Sequence, residues 1–181
     1  MNKDFIHVFF IAFFGLLLSL IIHIFAITGV DIEYEYPATS YLGMIIFIIW
    51  LPAILLLINK KKSRVNNQED TETSSSDQAK TFFNDILGDS PKPLKIIAIT
   101  CWIYGFINFT LFLSNHPDSV GIIDNEYVLH EKGYVRKKLT KKEYHYQRAV
   151  ETRGFSGHWL IFYGVATAIL YPFKARKEEK K

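Results

Sequence analysis

Apolar residues in this chain come in four blocks separated by polar stretches. Residues 5–30 read FIHVFFIAFFGLLLSLIIHIFAITGV, 41–58 YLGMIIFIIWLPAILLLI, 94–113 LKIIAITCWIYGFINFTLFL and 157–173 GHWLIFYGVATAILYPF. About 20 apolar residues rising about 1.5 Å each cover a hydrocarbon layer of roughly 30 Å, and a helix satisfies its own backbone N–H and C=O groups there. The pattern predicts a membrane all-α fold with four transmembrane helices, of which the second and fourth are short. The first block exceeds the roughly 7–15 apolar residues of a cleaved signal and lacks a small-x-small cleavage site after it, so it reads as a retained anchor.

Other periods appear between the blocks. In VDIEYEY, residues 30–36, apolar and acidic positions alternate, which predicts a strand with one covered face. VGIIDNEYVLHEKGYVRKKL has turn signals at Asp124-Asn125 and near Lys132-Gly133, so 120–138 is expected to form a hairpin of two or three short strands. Thr140 and Glu143 have the spacing of a capping box, which starts a helix near Lys141 and carries it over 141–153. Together these make a small α+β cap in which the acidic 30–36 strand joins the basic hairpin and tyrosines supply the packing. The run NNQEDTETSSSDQAK is too poor in apolar residues to order itself. Beyond it, Phe82, Phe83, Ile86 and Leu87 share a helical stripe over 78–87, with Asp77 as N-cap and Gly88 as stop.

Charge sets the direction of insertion. NKKKSR and PKPLK flank the loop between the second and third blocks, and the chain ends KARKEEKK, whereas residues 29–40 hold three acids and no base. Cytoplasmic flanks carry the excess of Lys and Arg, so both termini and the 59–93 loop are expected inside. Eight Lys and Arg residues in 114–156 run against that assignment, but none precedes Glu131 and long translocated segments follow the rule weakly. The chain then divides into two helices with an acidic outer loop at 29–40 (1–58), an inner loop (59–93), a third helix (94–113), the cap (114–156), a fourth helix (157–173) and a basic tail (174–181). Its modest size and lack of large domains favour a bacterial inner membrane. The net charge of +3 belongs to these flanks and calls for no nucleic-acid partner. Cys101, the single cysteine, cannot close an intramolecular disulfide.

Candidate chemistry is sparse. No block contains Asp or Glu, and HExxH, paired intramembrane carboxylates and a Gly-rich phosphate loop are missing, so no cofactor, metal or catalytic residue is assigned. Thr100, Tyr104 and Asn108 follow at i, i+4 and i+8 on one face of the third helix, and polar groups facing lipid are costly, so that face should point inward. Small-xxx-small pairs at Gly15/Ser19, Cys101/Gly105 and Gly164/Ala168 allow close helix approach. At comparable depth, His23, Asn108 and Tyr163 would surround an outward cavity, with Arg153, Ser156 and His158 at its rim and Tyr104 beside it. His158 and Trp159 also suit an interfacial anchor, with Gly154 and Gly157 letting the cap helix turn into the bilayer. Pro52 is expected to kink the second helix.

These features favour a non-enzymatic membrane protein that acts through protein contacts, as an accessory, regulatory or immunity-type subunit with the cap as its recognition surface. Its expected partners are the lipid bilayer and a protein. The alternative is a small-solute carrier or ligand sensor built on His23, Tyr104, Asn108, Arg153, Ser156, His158 and Tyr163. A membrane enzyme with His158 as base and Ser156 or Tyr163 nearby is the third reading.

Overall fold

A computed structural model of the chain describes residues 4–65, 86–87, 90–115, 118–131 and 133–171. The protein is mostly helical: α1 (Asp4–Ile27), a single turn α2 (Ile32–Glu35), α3 (Tyr41–Val65), α4 (Lys92–Asn115) and α5 (Lys141–Leu170). Between α4 and α5 lies an antiparallel sheet ordered β1 (Ser119–Ile123), β2 (Glu126–Glu131), β3 (Tyr134–Lys138). The expected disordered run, most of the 78–87 helix and the basic tail fall outside the described residues.

Helix α5 is the hub. Its residues 154–170 are largely buried against α1 and α4, with α3 on a third side. Three helices contain stretches long and apolar enough to cross a membrane: Ile6–Ile27 in α1, Tyr41–Asn59 in α3 and Lys92–Ser114 in α4. Their outward faces carry large apolar side chains, Phe47 and Ile48 being 78% and 72% exposed. The fourth block does not reach that standard of apolarity. Sheathed by the other three, it buries small and hydroxylic residues such as Gly157, Gly164, Ala166, Thr167 and Ala168.

The expected break between a cap helix and a fourth span is absent, because α5 runs unbroken for 30 residues, about 45 Å at helical rise. Gly154 and Gly157 make room for α4 instead of bending the chain. A Cβ on Gly154 would strike the Phe112 ring, one on Gly157 the Asn108 amide, and one on Gly105 of α4 would meet both Ile161 and the Gly157 carbonyl. Glycine inside a helix costs about 1 kcal/mol relative to alanine, and here the close approach of two backbones offsets it. Similarly, Gly15 of α1 receives the Tyr163 ring. α3 continues without interruption through Pro52.

The strand expected at 30–36 is a helical turn. Asp31 caps it by accepting from the Tyr34 amide at 3.2 Å, and a 3₁₀ turn, Pro37–Ser40, leads into α3. Its acids seek α5 and not the hairpin: Asp31 lies 2.9 Å from His145 Nδ1, and Glu33 accepts from Arg148 at 3.1 Å. The basic strand residues have acids of their own, Arg136 with Glu131, Lys138 with Glu126 and Lys137 with Glu143. Beside β1, Glu151 of α5 accepts from the Val120 amide at 3.1 Å. Alternation alone did not decide between strand and turn, since the same spacing serves a capped turn that docks its carboxylates on a neighbouring helix.

The rest of the cap follows its sequence signals. Asp124 and Asn125 both take positive φ (50° and 62°), the two-residue turn that suits the twist of a hairpin, and Gly133 at φ 87° serves the second reversal. Register places Gly121 opposite Val128 and Leu129 opposite Lys137, with an irregularity between Leu129 and His130. Val128 is buried, and Tyr127 packs on Tyr144 with ring centroids 4.6 Å apart, so tyrosines do join sheet to helix. The capping box is present in full. Thr140 Oγ1 accepts from the Glu143 amide at 3.2 Å while Glu143 Oε2 accepts from the Thr140 amide at 2.8 Å.

Two expectations follow. Gly105→Ala should destabilise the bundle by about 1–3 kcal/mol through overpacking, read as a lowered unfolding midpoint in detergent. At the cap, hydrogen bonds from Lys137 and then Thr140 hold the Glu143 carboxyl at about 2, below its ordinary 4.5. A lowered folded-state value means its contribution is intact above about 4.5 and fades as pH falls towards 2. Thermal unfolding should therefore separate wild type from Glu143→Gln at pH 7 and bring the two together near pH 2.

Candidate functional site

Five of the seven polar residues singled out in the sequence meet where α1, α4 and α5 converge. His23 comes from α1, Tyr104 and Asn108 from successive turns of α4, and Arg153 and Ser156 from successive turns of α5. His23 Nδ1 lies 2.8 Å from Ser156 Oγ and His23 Nε2 lies 2.6 Å from the Tyr104 hydroxyl. Ser156 also donates to the Arg153 carbonyl at 3.3 Å. A neutral imidazole has one donor and one acceptor nitrogen, so that network assigns the proton to Nδ1. Tyr104 then donates to His23, His23 to Ser156, and Ser156 to the α5 backbone.

Asn108 extends the ladder on the outer side. Its Nδ2 donates to the Arg153 carbonyl at 3.1 Å and its Oδ1 accepts from Arg153 Nε at 3.2 Å. One amide thus holds both the backbone and the side chain of Arg153, and the missing Cβ of Gly157 is what lets it approach. The terminal guanidinium nitrogens of Arg153 make no hydrogen bond among the described residues. Burial is uneven: His23, Asn108 and Ser156 are enclosed, while Tyr104 is 40% exposed. One turn deeper on α1, the Ser19 hydroxyl is buried without a partner among the described residues.

The other two residues lie elsewhere. Tyr163 is buried two turns deeper on α5 and donates to the Leu42 carbonyl at 2.7 Å, tying α5 to the start of α3. His158 bonds through Nδ1 to the Gly154 carbonyl at 3.1 Å, with Phe109 edge-on at 4.0 Å between centroids. Ser156 and His158, two residues apart on a helix, project to different sides, so they form no nucleophile–base pair. Ser156 has a histidine partner after all, but it is His23 from another helix, and a hydroxyl enclosed and already bonded to a carbonyl cannot reach a substrate. Among the described residues no cluster of His, Cys, Asp and Glu could hold a metal ion.

Other polar contacts between helices had no motif to announce them. Asp31 and Glu33 engage His145, Arg148 and Thr152 along the N-terminal part of α5. Ser90 donates to the Ala168 carbonyl at 2.6 Å near the C-terminal end of α5. Of these, only the acidic run was visible in the sequence, and it suggested the wrong element. No family model, curated protein or solved structure matches the chain.

The hydrogen-bonded ladder should act as interhelical glue. Hydrogen bonds between membrane helices contribute about 0.6 kcal/mol on average and up to about 1.7. A double-mutant cycle of His23→Ala and Ser156→Ala, followed by unfolding in detergent, is expected to give a coupling in that range. A cycle pairing His23→Ala with Thr110→Ala, at an exposed position on α4, should give none.

Proposed function

We propose that the chain is an integral membrane protein, placed in a bacterial inner membrane, that crosses the bilayer four times with both termini inside and recognises a protein partner through its outer cap. Support for the setting comes from the three apolar helices, their exposed apolar faces, and the basic flanks of the inner loop and tail. The inner part of α5 would be the fourth crossing, covered by its neighbours on most sides.

One corner of the cap carries the functional reading. β3 is an edge strand exposed at all five positions, with Tyr134 80% exposed, and it leads directly into the start of α5. Lys141 and Lys142 stand in the first turn of that helix, exposed and without an acidic partner among the described residues. The helix dipole disfavours a cation there by about 0.3–1 kcal/mol each, and local stability gives no reason for them. An acidic, extended segment of a partner, paired along β3 and met by these lysines, would give one. Lysine on an edge also discourages aggregation, but that purpose does not require two cations on a helix N-terminus.

A second reading, ligand sensing at the α1–α4–α5 junction, draws on the terminal nitrogens of Arg153, which have no hydrogen-bond partner among the described residues. It is weaker because the neighbouring polar groups bond chiefly to one another.

Charge reversal separates recognition from stability. Lys141→Glu with Lys142→Glu should leave the unfolding midpoint equal or higher, since the new charges suit the dipole, while a photo-crosslinker at Tyr134 loses the discrete protein adduct it forms in native membranes. An adduct that survives the reversal, or wild-type function with the reversed charges, would sink the proposal. Its orientation predicts that single cysteines replacing Tyr34 or Tyr134, in a Cys101→Ala background, are labelled from outside intact cells.

A further inference from the structure

Two adjoining clefts, of about 390 and 350 Å³, open on the side of α5 away from the polar ladder. Trp50 and Phe162 line both, so the clefts form one groove, floored by α5 and flanked by α3 and α4. Its outer part is lined by Gly43, Phe47, His158 and Trp159, and its inner part by Leu87, Ile99, Trp102 and Val165. Each volume falls within the roughly 300–1,000 Å³ of small-molecule sites.

The lining changes along the groove. At the outer end stand the His158 imidazole and the Trp159 indole, the latter lying close over Gly43, where a side chain would crowd it. Inward of them the wall is aliphatic and aromatic. The Trp50 indole nitrogen is shielded, with its ring perpendicular to Phe162, and so offers no polar group to an occupant. From His158 to Val165 the floor extends about 10 Å along the helix axis, which is the direction of acyl chains in a bilayer.

We propose that this groove holds one acyl chain of a bilayer lipid, with the headgroup at the level of His158 and Trp159. A partner helix is the poorer occupant. Helices approach closely over small residues, and this wall is dominated by Trp50, Trp102, Trp159, Phe47 and Phe162; Gly43 is already covered by Trp159, while Gly154, Gly157 and Gly164 of α5 face α4, and Gly15 and Gly105 face α5. A flexible chain can thread between bulky rings. The inference rests on the membrane setting proposed above and is independent of the role given to the cap.

All three tryptophans of the chain line the groove and serve as reporters. Full-length protein in detergent would be titrated with phosphatidylcholine brominated on its acyl chains, and bound lipid counted by native mass spectrometry. The expected result is saturable quenching with one retained lipid per chain. Val165→Phe, which fills the inner section, should lower retention several-fold, and Leu51→Phe, on an exposed face outside the groove, should not. If Val165→Phe fails to fold, Ile99→Phe on the opposite wall decides the matter. Quenching that rises in proportion to bulk lipid, with no retained lipid or with equal retention in the groove variants, overturns the inference. A chain that stays dispersed without detergent overturns the membrane setting itself, whereas an integral protein that retains no lipid overturns only the groove.

Discussion

Close approach of α4 and α5 is the constraint on which the rest of the structure depends. In the lipid setting proposed above, apolar side chains would gain little by leaving one apolar environment for another, so packing and the hydrogen bonds that packing permits would hold the helices. Gly105, Gly154, Gly157 and Gly164 remove side-chain bulk where these helices meet. With that bulk gone, Asn108 can reach the Arg153 carbonyl, Ser156 and Tyr104 can both meet His23, and α1 is drawn in against the same stretch of α5. Close packing and polar bonding occur together at this seam, the Gly157 notch lying beside the Asn108 amide and the Gly154 notch beside the Phe112 ring.

The inner part of α5 then differs from its neighbours for a physical reason. Helices α1, α3 and α4 present large apolar side chains outward, whereas α5 is enclosed and selects for small volume more than for hydropathy. The same helix continues into the cap, where Tyr144, His145, Arg148 and Glu151 receive the sheet and the α2 turn. A single rod therefore joins cap and bundle. Events at the β3 corner and at the polar ladder bear on one rigid element, with no joint between them.

Around α5, the two accessible sides have opposite chemistry. One carries the ladder with Arg153 at its end; the other carries the aromatic groove. Tyr163 lies deeper, fixing both α1 and α3 to the hub. This separation accounts for the division of the candidate residues. His158, expected beside Ser156, faces the groove because two residues along a helix amount to more than half a turn.

The sequence by itself determined the apolar rods, the hairpin turns and the capping box, because each depends on residues within a turn or two of one another: an apolar run, Asp124-Asn125, Thr140 with Glu143. It also named the five residues of the polar ladder, though as part of a seven-residue cavity whose other two members, His158 and Tyr163, lie elsewhere, since a buried polar side chain is costly wherever the fold places it. Tertiary structure alone decided who bonds to whom. Whether VDIEYEY became a strand or a capped turn depended on His145 and Arg148, more than 100 residues away, and whether Gly154 and Gly157 bent α5 or admitted α4 depended on what filled the notch. Local propensity allowed both outcomes in each case, and contacts from distant parts of the chain made the choice, ion pairs with α5 for the turn and the α4 side chains for the glycines.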